Sequence, residues 1–115
     1  MLEKPLCWLG SSLEDLRTFP DEARRAAGFQ LGRVQLGLLP SEWKPMTTVG
    51  PGVIEIRVHT RAEHRVFYIA KFEEAVYVLH AFEKRSRQTP HPEIMLARKR
   101  LADLIRRRAR KPEAR

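Results

Sequence analysis

Three strand-forming runs follow one another closely between Ile54 and Phe82, and they constrain the fold more than any other feature. Ile54, Ile56 and Val58 alternate with Glu55, Arg57 and His59, the period of two expected of a strand with one buried face. The runs His64 to Phe72 and Ala75 to Phe82 are denser in Val, Tyr, Phe and Ile. They read as strands buried on both faces, with the helices covering one side. Thr60 to Glu63 is read as the hairpin turn between the first two, although it lacks the Asn-Gly pair that favours tight turns. A chain of 115 residues has room for one core and one domain.

What flanks these strands is mostly helical. Leu6, Trp8 and Leu9 form a short first strand ended by Gly10. Ser11 and Ser12 stand three residues before Glu14 and Asp15, the spacing of a capping box at a helix start. Leu13, Leu16 and Phe19 continue at helical spacing. Pro20, followed by Asp21 and Glu22, restarts a helix. Ala23, Ala27, Leu31, Val34 and Leu38 are its apolar stripe, and Gly28 and Gly32 within it suggest close packing against a neighbour. Gly37 and Pro40 stop it. The stretch from Leu39 to Gly52 holds three prolines and two glycines and reads as a loop. Beyond Pro90 and Pro92, a last helix carries Ile94, Ala97, Leu101, Leu104 and Ile105 inward and its arginines outward. The order β-α-α-β-β-β-α describes an α+β domain over residues 1–108 with a mainly antiparallel sheet. Residues 109–115 are expected to be a frayed basic tail.

Charge divides the chain in two. Residues 1–83 hold 10 basic and 11 acidic side chains, whereas residues 84–115 hold 12 and 3. All of the net +8 therefore comes from the C-terminal segment, a footprint that suits nucleic acid or an acidic protein. Cys7 stands alone, which excludes an internal disulfide framework and a cysteine zinc site. Neither a membrane-spanning run nor a signal peptide is read in the sequence, so a cytoplasmic protein without membrane attachment is expected.

No phosphate-cradling glycine loop or nucleophile elbow is present. His59 and His64 flank a hairpin, but no carboxylate or cysteine joins them at a metal-site spacing; no metal and no small-molecule cofactor is expected. The remaining candidates lie on the strands. Glu55, Arg57 and His59 share one face, Arg65 and Lys71 share a face with Phe67 and Ile69 between them, and His80 and Phe82 share a face with Lys84 just beyond. Antiparallel pairing brings such groups together. Cations hold phosphate, rings stack bases, and a carboxylate or imidazole handles protons, so single-stranded RNA would suit the set. The same residues also admit a structural role. Arg65 would then pair with Glu55 or Glu63, His80 would be a hydrogen-bonded core histidine, and Phe82 would be core.

Several ordered pieces carry a family resemblance: Trp8, Gly10, Ser11, Ser12, Leu16, Phe19 and Pro20; Val34, Gln35 and Gly37; Lys44, Pro45, Met46, Val49 and Gly50; and Val53 to Arg57. They continue with His64, Arg65, Val66 and Tyr68, then Tyr77 to His80, Phe82, Lys84 and Arg87 to Pro90. Spread over residues 8–101, this set resembles phage-derived RelE-like proteins of the RelE/ParE toxin superfamily, close to HigB-type toxins. The resemblance implies a RelE-like fold, with N-terminal helices on the sheet and a basic C-terminal helix. It also implies a toxin of a type II toxin-antitoxin system. Its partners would be a cognate antitoxin with a helix-turn-helix, the ribosome, and the mRNA cut there without a metal by attack of a ribose 2′-OH. Carried onto this chain, Arg65, Arg57, His80, Lys84 and Glu55 are the catalytic candidates. Arg65 is the phosphate clamp, His80 the acid or base, and Glu55 a base or orienter. Lys44, Lys71, Phe82, Arg85 and Arg87 are the RNA-binding candidates. The C-terminal tyrosine of several relatives is absent, Tyr77 being the last. Two alternatives remain: a ParE-like toxin that binds DNA gyrase and cuts no RNA, and a degenerate member that only binds RNA or a partner.

Overall fold

The structure, a computed structural model, describes residues 3–110. Its elements are β1 (Leu6–Trp8), α1 (Ser12–Arg17), α2 (Asp21–Gln35), β2 (Trp43–Pro45), β3 (Val53–His59), β4 (Glu63–Ile69), β5 (Val76–Lys84) and α3 (His91–Arg110). The strands make one five-stranded sheet in the order β1-β5-β4-β3-β2. Only the β1–β5 pairing is parallel; the other three are antiparallel. This is the expected α+β architecture, compatible with a RelE-like fold. Among the described residues, no helix is long and apolar enough to cross a membrane.

The alternation along β3 and β4 sorts the core into two layers. Ile56, Val58, Val66 and Tyr68 pack with Leu16, Phe19, Ala23, Ala27, Leu31 and Val34 from α1, α2 and the turn between them. Val53, Phe67 and Ile69 face the other way, against Ala97, Leu101 and Leu104 of α3. Helices thus cover both faces of the sheet, not one as the sequence suggests. β5 serves both layers through a bulge: Phe67 pairs with His80 and Tyr68 with Val78, so Leu79 is the extra residue. A bulge of this kind places consecutive side chains on one face. Leu79 joins the α3 core, and His80 reaches α3 beside it.

Several local expectations change. The stretch from Leu39 to Gly52 contains β2, whose Lys44 pairs with Glu55; three residues bounded by Pro45 are too few for a periodic signal. No capping box forms at α1. Ser11 Oγ donates to Asp15 Oδ2 at 2.8 Å and Ser12 Oγ to the Val78 carbonyl at 3.2 Å. Pro20 does precede α2, with Asp21 and Glu22 in the first turn, but the helix ends at Gln35 and leaves Leu38 exposed beyond it. Gly28 and Gly32 meet nothing within 4 Å, so close packing is not why they are there. On α3, Ile105 is exposed. That helix also continues through Ala109 to Arg110, two residues into the expected tail. Residues 111–115, the rest of that tail, lie outside the described ones.

Arg100 of α3 turns inward instead of outward, and the exposed Arg108 is tied back to the sheet side. Arg100 Nη1 donates to the Leu79 carbonyl at 2.9 Å and Nη2 to Ser11 Oγ at 3.0 Å. Its guanidinium lies against Gly10, where a Cβ would stand 2.5 Å from Nε. Arg108 makes a paired contact with Glu74 at 2.8 and 3.0 Å and lies 3.8 Å over the Phe72 ring. Arg108, then Tyr77, hold the Glu74 carboxyl down to about 2. These contacts fix α3 at both its middle and its end.

Two glycine substitutions should therefore act in opposite directions. Gly10 has φ +56°, so Gly10→Ala meets both backbone strain and Arg100 and should cost about 1–3 kcal/mol. Gly28→Ala in open helix should stabilise by about 0.5–1 kcal/mol. Urea unfolding of both proteins checks the pair, and equal effects would contradict the Arg100 clamp.

Candidate functional site

Period two places Glu55 and Arg57 of β3 on the face that α3 covers. Cross-strand pairing sets Arg65 beside Arg57, Phe67 beside Glu55, and Phe82 beside Arg65. Glu55, Arg57, Arg65 and Phe82 thus come together as the alternation implies. α3 closes the part of this face nearest Val53, Ile69 and Tyr77. The remainder opens as a groove of about 450 Å³. One wall is the segment Lys44–Thr48, the other the turn from Lys84 to Thr89, and Glu55 and Arg57 line the floor.

A buried carboxylate organises that floor. Glu55 is 1% exposed. Arg57 Nε donates to its Oε1 at 3.2 Å, and Arg65 Nε lies 3.8 Å from Oε2, beyond hydrogen-bond length. A buried carboxylate is tolerated only with such cationic partners. The two arginines then part company. Arg65 is 5% exposed and its Nη1 is spent on Glu63 Oε1 and the His64 carbonyl, both at 3.0 Å. Arg57 is 36% exposed at its side chain. Among the described residues its terminal nitrogens take no hydrogen bond, and its side chain lines the groove. Arg57, rather than Arg65, is the guanidinium a ligand would meet.

The other candidates divide the same way. Lys44, Lys84 and Arg87 line the groove. Lys84 is partly committed, donating to the carbonyls of Ser86 at 2.8 Å and Arg87 at 2.5 Å. His80 is 4% exposed and engaged at both nitrogens. Its Nε2 contacts Glu93 Oε1 at 2.5 Å and its Nδ1 lies 3.5 Å from Arg100. It joins β5 to α3 and is not among the groove's lining. Phe82 is buried, stacked on His80 with ring centroids 5.1 Å apart and edge-on to Phe67 at 5.3 Å. Lys71 lies beyond the opposite end of the strands, beside Gly52 and 5.5 Å from the Phe72 ring centre. Arg85 is exposed and pairs with Glu83 at 3.2 Å. The structural roles foreseen for Arg65, His80 and Phe82 are therefore the ones their contacts describe.

Sequence reasoning missed Thr47, Thr48, Gln88 and Thr89, which also line the groove. Uncharged polar residues in loops carry no periodic signal, and only the shared position of their two loops reveals them. His59 and His64 cannot share a ligand, because they point to opposite faces. His59 contacts Glu63 at 2.6 Å and Glu42 at 3.1 Å, whereas His64 is buried 4.3 Å from the Phe19 ring.

A groove of this make-up, on this sheet, can be set beside known families. The model of the family described as phage derived protein Gp49-like (DUF891) matches residues 14–102. The chain belongs to this family. The matched span covers α1 through most of α3 and includes both walls and the floor of the groove. A search of the curated proteins finds no match.

One buried group makes a pH prediction. Burial pushes the His64 imidazole below its usual 6.5. The unfolded chain takes up a proton below about 6.5 that the folded protein refuses. Stability is thus unaffected by His64 above that pH and falls as pH drops below it, by up to ~1.4 kcal/mol per unit. Unfolding free energies at pH 7.5 and 5.5 should converge in His64→Gln. An unchanged difference would show that other groups set the acid sensitivity.

Proposed function

We propose that this Gp49-like protein is the toxin of a type II toxin-antitoxin pair and that it cleaves mRNA. The observation that carries this reading is the groove itself. Lys44, Arg57, Lys84 and Arg87 line one cleft above a buried carboxylate. A phosphodiester brings a charge of −1 and gains more at the moment of attack, so preorganised cations there stabilise the transition state more than the ground state. The sequence resemblance to RelE-like toxins adds the reaction type.

In the proposed step, the ribose 2′ oxygen attacks the adjacent phosphorus while the bond to the 5′ oxygen breaks, leaving a 2′,3′-cyclic phosphate. Arg57 takes the non-bridging oxygens. Glu55 holds Arg57 by its Nε, and its Oε2 is buried facing Arg65, so Glu55 orients the guanidinium and the 2′ proton leaves to water. Lys84 has a third N–H beyond the two used on the turn and is the candidate donor to the departing 5′ oxygen. Arg65 acts through Glu55 as a positioning residue, and His80 through the placement of α3. Binding at the ribosome and neutralisation by an antitoxin belong to the same proposal.

The test is induced expression followed by mapping of new mRNA 5′ ends. Arg57→Ala should reduce cleavage about 10²–10³-fold, the loss typical of one oxyanion-stabilising donor. Because it also strips buried Glu55 of its hydrogen-bonded cation, its unfolding midpoint should fall. Arg57→Lys, which keeps a charge there, should stay folded and still lose cleavage. Growth arrest without new ends, accompanied by inhibited gyrase supercoiling by the purified protein, would replace this reading with the gyrase-binding one. Soluble protein giving neither arrest nor ends would leave a binder without activity.

A further inference from the structure

The groove does not end at the cations. A second cleft of about 650 Å³ adjoins it, and the two share Arg87, Gln88, Thr89 and Ile94. Those residues form a partition. Its turn is held by local hydrogen bonds: Lys84 donates to the Ser86 and Arg87 carbonyls, and Ser86 Oγ donates to the Gln88 carbonyl at 2.7 Å. Ile94, on the first turns of α3, is packed against the core and is held in turn by that helix.

The chemistry changes along the floor. Arg57 lies two residues beyond Glu55 on β3, and Met46 donates its amide to the Val53 carbonyl at 2.8 Å. Arg57 therefore marks one end of the first cleft, while Met46, Thr47 and Thr48 mark the end toward α3. Lys44, Arg57 and Lys84 sit toward the first end, and Arg87 stands on the partition. At the second, Met46 and Ile94 supply apolar surface and Thr47, Thr48, Gln88 and Thr89 supply uncharged hydrogen-bonding groups. A phosphate suits the former. A flat, heteroatom-edged ring suits the latter.

We propose that the two clefts are consecutive nucleotide subsites for single-stranded RNA, divided at Ile94, and that Gln88 selects the base bound next to the cleaved phosphate. This rests on the RNA-cleaving reading and adds to it a specificity residue. An amide offers a donor beside an acceptor, the pattern needed to read a base edge. The edge must be unpaired to be reached, because side chains cannot enter the deep groove of A-form duplex. Gln88 carries no charge, so its loss removes selection and leaves the electrostatic hold on the backbone in place.

Fluorescence anisotropy tests this with labelled hexauridylate in which one central position is A, C, G or U. The parent protein should bind the best of the four about fivefold or more tighter than the worst, the scale of one well-made hydrogen bond. Gln88→Ala should bring all four within about twofold while the weakest keeps its affinity. Arg57→Ala should weaken all four alike, leaving their ratio intact. Parent protein that binds the four equally, or Gln88→Ala protein that keeps their order and spread, overturns the subsite. The cleavage reading is tested apart from it by the same hexamers and by the mapped ends. Base-selective binding without any cleavage would sink the catalytic reading and sustain the subsite. Cleavage whose base preference survives Gln88→Ala would do the reverse, and absence of both hexamer binding and mapped ends would overturn both.

Discussion

The sheet is covered on both faces, and most of what the molecule does with its polar residues follows from that. β4 is buried from His64 to Ile69 and β5 from Val76 to Phe82, so each polar side chain on them must find a partner inside the protein. Arg65 finds Glu63 and lies near Glu55. His80 finds Glu93 and Arg100. His64 has no partner for Nδ1 and its pKa is lowered by burial. The polar candidates that the sequence offers on these two strands are buried and engaged by protein partners.

β3 escapes this constraint at Arg57, because α3 covers Val53 but stops short of that end of the strand. The helix is placed by contacts at both ends of its packed region. Arg100 is wedged under Gly10 and bonded to Leu79 and Ser11, and Arg108 is clasped by Glu74 over Phe72. With the helix so fixed, Ala97, Leu101 and Leu104 cover Val53, Phe67 and Ile69, and the first turn ends at the wall of the groove. The same placement leaves Arg57 uncovered and lets Ile94, packed against the edge of the core, also line both clefts. The bulge at Leu79 belongs to this arrangement. It turns two adjacent residues of β5 toward α3, so that Leu79 fills the core while His80 ties the helix by its Glu93.

How far the sequence discloses this depends on which force sets each feature. Long periodic segments were legible: α2, α3 and β3 to β5 stand where hydrophobic alternation or a helical stripe put them, because burial of a repeated face dominates their energetics. β2 was not legible, since three residues carry no period. Nor was the side on which α3 packs, because β4 and β5 are apolar on both faces and point to neither. Ile105 lies one position off the stripe that Leu101 and Leu104 define, and Arg100 leaves the solvated face because Leu79 and Ser11 offer acceptors. Hydropathy counts an arginine as outward; only the backbone carbonyl left free at a bulge says otherwise.

Arg57 and Arg65 show the limit most clearly. They are direct cross-strand neighbours on one face, each in contact with Glu55. A sequence reading ranks Arg65 first, because it matches the strand arginine of the RelE-like proteins that the chain resembles. In the fold, one strand position decides otherwise. β4 is central and β3 lies next to the short β2, so Arg65 is enclosed by neighbours on both sides while Arg57 has an open flank. Charge arithmetic misleads in a related way. The C-terminal segment holds the whole net positive charge, yet among the described residues its cations in the groove are Lys84 and Arg87 alone, and Lys44 and Arg57 come from the part of the chain that is nearly neutral. A cation's use depends on whether its neighbours leave it a hydrogen to give, and that is a property of the register, not of the count.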